Sequence, residues 1–159
     1  MNYFELFGLP VSFTIDKNEL SRKYVELQKK YHPDFYTLES EADQADALEK
    51  SSLINKAWKT LCHPDETLKY VLELKGVLEE DEKYQLPPDF LMEMMELNEE
   101  ADENTPAKVA AIEQELFSEV KTILKNYDEN TTAAEDLRKL KAYYFKKKYL
   151  NRILDRTRG

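Results

Sequence analysis

Apolar residues recur along this chain at helical spacing. Leu20, Tyr24, Leu27 and Tyr31 follow one another at steps of four, three and four, which at about 100° per residue puts all four in one narrow stripe. No stretch alternates in the period-two manner of a half-buried strand, so the chain is predicted to be all-α. A short first helix over residues 3–7 stops at Gly8-Leu9-Pro10, because proline disfavours helical geometry at the residue before it. The second opens at Asp16, whose carboxylate can accept a bond from a free N–H of the first turn while Glu19, three residues on, reaches back. Pro33 ends it. After a polar loop from Phe35 to Ala42, a third helix over residues 43–61 is expected to bury Leu48, Ile54, Ala57, Trp58 and Leu61.

His63-Pro64-Asp65 interrupts the pattern, and Asp65 or Thr67 can cap a fourth helix carrying Leu68, Val71, Leu72 and Leu74 up to Gly76. An acidic linker follows. Pro87-Pro88-Asp89 introduces a fifth helix over residues 89–103, Asn104-Thr105-Pro106 starts a sixth that reaches Asn126, and Thr131 or Thr132 caps a last one ending near Arg156. The expected organisation is a first unit over residues 1–75, a linker over 76–88 and a helical second unit over 89–159.

Composition narrows the class. The chain has 159 residues, 42% hydrophobic and 35% charged, enough for one ordinary domain or two small ones. It lacks any apolar run near the ~18 residues that cross a bilayer. The start Met1-Asn2-Tyr3-Phe4-Glu5 has neither the basic, apolar character of a secretion signal nor that of a transit peptide; no membrane association and a cytoplasmic location are expected. Cys62 is the sole cysteine and His32 and His63 the only histidines, so no intramolecular disulfide, metal site or cofactor is anticipated. A formal charge of −9 argues against nucleic-acid binding, which depends on Lys and Arg replacing counterions. The charges are also segregated. From Leu78 to Glu103 eleven acids face Lys83 alone, whereas from Asp136 to Arg158 nine bases face two acids. Such blocks suit helices that lie against each other or address different partners.

Tyr3-Phe4-Glu5-Leu6-Phe7-Gly8-Leu9-Pro10, the basic second helix and Tyr31-His32-Pro33-Asp34 together resemble a J domain. The opening octet narrows the resemblance to the HscB family, co-chaperones of iron-sulfur cluster biogenesis. It covers essentially the whole chain and implies a J domain, a helical hairpin with a short flanking helix, followed by a C-terminal three-helix bundle, the two in an L-shaped arrangement. The His-Pro-Asp triplet occurs twice, so context decides. The first copy follows a capped helix whose outer face carries Arg22, Lys23, Lys29 and Lys30; the second, His63-Pro64-Asp65, has no basic helix before it and reads as a helix stop and cap. In the first copy proline stiffens the turn, so His32 and Asp34 project from a rigid tip, and the basic face steers that tip to an acidic surface. By resemblance, His32, Pro33 and Asp34 dock on a chaperone of the DnaK/HscA type and promote its ATP hydrolysis. The chain itself has no G-x-x-x-x-G-K-[ST] loop and is not expected to be an enzyme.

The fifth helix holds more apolar residues than one buried face needs. Phe90, Met94, Leu97 and Ala101 form the stripe expected in the core. Leu91, Met92 and Met95 lie on the other side among Glu96, Glu99 and Glu103, and exposed methionine suits an adaptable docking surface. The resemblance implies that Leu91, Met92, Met95, Glu96, Glu99 and Glu103 bind an iron-sulfur scaffold protein of the IscU type. On the last helix Leu137, Leu140, Tyr144, Leu150 and Leu154 share one side, and Ala142, Phe145, Tyr149 and Ile153 the other. Ala142 stands where the family often has a larger apolar residue, which leaves Tyr143 or Phe145 as substitutes. A co-chaperone or adaptor for a different client is the alternative.

Overall fold

The computed structural model describes residues 1–158, and the side chains of residues 1–156. Among these the chain is helical throughout, without strands: α1 (Tyr3–Phe7), α2 (Lys17–Tyr31), a 3-10 turn (Pro33–Tyr36), α3 (Glu41–Leu61), α4 (Pro64–Leu74), α5 (Pro88–Glu99), α6 (Thr105–Lys125) and α7 (Ala134–Arg158). It divides into two compact units, Met1–Val71 and Leu72–Gly159, so the boundary falls inside α4.

In the first unit the helix ends follow local chemistry. Asn2 caps α1 by accepting the Glu5 N–H at 2.8 Å, and Gly8 ends it in the left-handed region (φ 66°) that a side chain would strain. Asp16 caps α2 through the N–H groups of Asn18 and Glu19. The Glu19 carboxylate does not complete the expected reciprocal cap; it turns to Lys23, 3.8 Å away. Phe4, Leu20, Ile54 and Ala57 are at most 1% exposed, and α2 and α3 pack as a hairpin around them. Leu48 corrects the expected face of α3, being 57% exposed, while Ala47 and Ser51 are buried. The inward stripe is Ala47, Ser51, Ile54, Ala57 and Leu61, one residue earlier at its start, and its small members permit close approach to α2. Leu74 likewise points outward at 38% exposure.

Thr67 is buried and donates its hydroxyl to the Thr60 carbonyl at 3.0 Å. The start of α4 is set by Pro64 at its first position and the His63 carbonyl, which accepts the Thr67 N–H. Tyr70 accepts the Tyr3 N–H on its hydroxyl at 2.9 Å while its ring stacks on Tyr3, fastening α1 to α4.

The second unit is a three-helix bundle of α5, α6 and α7. Phe90, Met94, Val109, Leu150 and Ile153 form its central cluster, with Leu86, Leu97, Ile112 and Leu116 packed against it. Burying such side chains stabilises by about 1.5–3 kcal/mol each. The expected acidic linker is part of this unit. Leu78 is buried, Lys141 pairs with Glu82 at 2.6 Å and donates to the Val77 carbonyl at 3.0 Å, and Tyr84 stacks on Phe145 at 4.5 Å. The expected threonine cap of α7 is not formed: Thr132 accepts the Asp128 N–H within the preceding loop, and the helix starts behind Ala133. Ile153 and Tyr143 are core residues of α7, whereas Tyr144 and Leu154 are half-buried. Helix α7 is covered both by α6 and by the segment ahead of α5, so its apolar residues are not confined to one stripe.

Candidate functional site

The first site begins where α2 ends. Tyr31 is its last residue, His32 leaves it with extended backbone (φ −61°, ψ 131°), and Pro33 opens the 3-10 turn. Proline fits there because its fixed φ suits the turn and its missing N–H would find no intrahelical partner. His32 Nδ1 accepts the Asp34 N–H at 3.2 Å, and Asp34 Oδ2 lies 3.5 Å from the same nitrogen. The imidazole therefore caps the turn that follows it, and a neutral ring with Nδ1 so engaged carries its proton on Nε2.

The turn is fastened from behind. Tyr36 donates its hydroxyl to the Lys30 carbonyl at 2.7 Å, one of the C-terminal carbonyls a helix leaves without an internal partner. Tyr24 and Gln28 both donate to Asn55 Oδ1, at 2.8 and 2.9 Å, and the Tyr24 ring stacks on Trp58, which holds the end of α2 on α3. The candidate groups stay accessible: the side chains of His32 and Asp34 are 47% and 85% exposed. Phe35 is 65% exposed, edge-on to His32 at 6.2 Å. The sequence pattern assigned Phe35 and Tyr36 to a loop and gave neither a role.

Of the four expected cations, Arg22, Lys29 and Lys30 are exposed. Lys23 is engaged internally, donating to the Gly8 carbonyl at 3.0 Å, so it secures α1 more than it charges the surface. The second triplet is built differently. Pro64 there opens a three-turn helix instead of a tight turn.

The second site is the outer face of α5. Phe90 and Met94 face the core, while Met92 and Met95 are 63% and 55% exposed; Leu91 is half-buried, and Glu96 and Glu99 are exposed. The helix is shorter than expected. It ends when the Glu100 N–H bonds to the Glu96 carbonyl, and Asp102 N–H then donates to Thr105 Oγ1 at 2.8 Å in the turn before α6. Four acids near its C-terminal end, Glu99, Glu100, Asp102 and Glu103, oppose the helix dipole. Glu103 therefore lies off α5, and Ala101 is exposed and outside the core. Tyr143 is 6% exposed, which leaves its ring little surface to offer a partner. Phe145 is half-buried and engaged with Tyr84. Ala142 borders a shallow groove of about 150 Å³ between α6 and α7, next to Leu116 and Val120.

No cluster of His, Cys, Asp or Glu among the described residues could hold a metal ion, and no described helix is long and apolar enough to cross a membrane.

Residues 2–70 match the family model of the DnaJ domain, and residues 86–158 match that of the HSCB C-terminal oligomerisation domain. Curated relatives include the co-chaperone protein HscB homolog of Vibrio cholerae serotype O1, in two strains, each 36% identical with all of both chains covered. Among solved structures, the chaperone HscB from Vibrio cholerae is similar with a TM-score of 0.65 at 36% identity, covering 99% of both chains. Human co-chaperone HscB has a TM-score of 0.81 at 28% identity, covering 99% of this chain and 81% of that one. A J domain with a pinned His-Pro-Asp turn, followed by this three-helix bundle, places the chain in the HscB family of co-chaperones, whose J domain implies an Hsp70-type partner.

Proposed function

We propose that this protein stimulates the ATPase of a DnaK/HscA-type chaperone through His32, Pro33 and Asp34 and delivers to it an IscU-type iron-sulfur scaffold protein held on the outer face of α5. The observation that carries the first half is the geometry of the turn. His32 and Asp34 are exposed yet held by the Nδ1 cap and the Tyr36 anchor, so little side-chain entropy is lost on docking. Arg22, Lys29 and Lys30 supply steering charge, and Phe35 adds an apolar contact beside the imidazole. No nucleotide chemistry falls to this chain; hydrolysis occurs in the partner.

The second half rests on Leu91, Met92 and Met95 set among Glu96 and Glu99. Methionine adapts its shape to a partner, and the flanking carboxylates favour a basic counter-surface. Two departures favour a second reading, a different client: Glu103 lies off the helix, and Ala142 leaves a groove where a larger residue would project.

Single-turnover ATP hydrolysis by an HscA-type chaperone tests the proposal. Stimulation is expected from the native protein and none from His32→Gln; equal rates with both would overturn it. Leu91→Ala with Met92→Ala should weaken scaffold binding roughly tenfold or more if these are among the few dominant contacts. Unchanged scaffold affinity, together with capture of another protein that the double variant loses, would support the second reading.

A further inference from the structure

Helix α7 and the segment ahead of α5 enclose a cleft of about 200 Å³ whose lining includes Lys83, Tyr84, Phe145, Lys148, Tyr149 and Arg152. Its polar and apolar parts have distinct origins. Tyr84 and Phe145 stack face to face at 4.5 Å with 4° between their planes, and with Tyr149 they give an aromatic wall. Lys83, Lys148 and Arg152 are exposed at its rim.

The charge balance is unusual for so acidic a chain. Elsewhere on α7 Lys139 pairs with Asp136, Lys141 with Glu82 and Lys147 with Glu113, while Lys146 lies over the Phe90 ring. The one carboxylate lining the cleft, Glu82, is the group that Lys141 already holds at 2.6 Å. Among the described residues Lys83 and Arg152 have no carboxylate partner, and Lys148 has only the Tyr144 ring, 6.0 Å away. Three cations therefore converge on an aromatic-walled cleft in a protein of net charge −9.

The geometry points to a binding site for a short acidic segment of a partner protein, an aromatic side chain against the Tyr84, Phe145 and Tyr149 wall and flanking carboxylates on Lys83, Lys148 and Arg152. Size selects this occupant, since cofactor and drug-sized sites run from about 300 to 1,000 Å³ and this cleft suits one or two side chains. Charge selects it as well. Carboxylates complement the rim, whereas an extended polyanion would also meet the chain's excess of acids. The cleft is prearranged, because Lys141 bonds both to Glu82 and to the Val77 carbonyl.

The test titrates the isotope-labelled full chain with the synthetic peptide acetyl-Glu-Asp-Phe-Glu-Asp-amide and follows its amide resonances. Saturable shifts are expected at Lys83, Tyr84, Lys148 and Arg152. Affinity should fall about tenfold or more in Lys148→Glu with Arg152→Glu, and also when salt is raised, while Arg152→Lys keeps most of it. Leu91→Ala with Met92→Ala should leave peptide binding intact, separating this site from the α5 face. Binding of the Gln/Asn version of the peptide with equal affinity, shifts that map elsewhere, or no saturable shifts would overturn the proposal. Tighter binding of a uridine oligonucleotide at the same residues would overturn it in favour of nucleic acid.

Discussion

On the proposed function His32 has two roles, because the nitrogen that caps the turn belongs to the ring that would dock. Glutamine at this position can still offer an oxygen to the Asp34 N–H, so His32→Gln separates loss of docking from loss of the turn. Tyr36→Phe does the reverse. It removes the hydroxyl that anchors the turn to Lys30 and leaves every exposed docking group in place. A single such bond contributes about 1 kcal/mol. We expect at most that loss in thermal or denaturant stability, and a severalfold higher concentration for half-maximal ATPase stimulation, with the maximal rate retained. A lowered maximum at saturating co-chaperone would instead place Tyr36 in the contact itself.

At the scale of the element, α5 has two faces with opposite expected responses. Met94 is fully buried and Met92 is 63% exposed; Met94→Ala should destabilise the second unit by about 2–5 kcal/mol, and Met92→Ala by within about 0.5 kcal/mol, as measured by urea unfolding. The segment ahead of α5 carries its own pH response. The hydrogen bond from Lys141 holds the Glu82 carboxyl below the ordinary carboxylate range, helped by the Glu79 N–H and opposed by burial. A depressed folded pKa means that the stabilisation is fully present above the ordinary carboxylate value and is lost as pH falls through the lower one. Proteolysis within residues 79–86 should therefore accelerate in acid, and Lys141→Met should show the fast rate already at neutral pH.

The helices themselves were legible in the chain, because the cap at Asp16, the breaks at Pro33 and Pro64, and the 3.6-residue period act locally. The faces were less so. Leu48 and Ala47 are neighbours, and periodicity favours the larger one although the smaller lets α3 approach α2. Tyr143 and Tyr144 pose the same ambiguity, settled by α6 and by the segment over residues 76–88, neither of which is local to α7. At the candidate site the triplet was readable from the chain, but the Tyr36 anchor and the internal engagement of Lys23 depend on where Lys30 and Gly8 lie in space.

At the scale of the molecule, charge is partitioned between units. The opposed blocks meet within the second unit at Lys141 and Glu82, and Lys147 pairs with Glu113 of α6, while Arg22, Lys29 and Lys30 remain open in the first. Screening reaches ~8 Å at physiological ionic strength and ~3 Å at 1 M. Association with the chaperone should therefore slow as salt is raised, with dissociation little changed, in a stopped-flow measurement. Arg22→Ala with Lys29→Ala should flatten that dependence.

The boundary between the two units lies at Val71 and Leu72, both completely buried and both within α4. A joint there has no loop to absorb it: a chain ending at Val71 would expose up to four unpaired carbonyls at a cut helix end. Gene fusions that exchange one half for another would have to cross over elsewhere, at the Gly76 turn or later. The helix thus disfavours a crossover at the unit boundary itself, so the last turn of α4 would be inherited with the first unit although it belongs to the second.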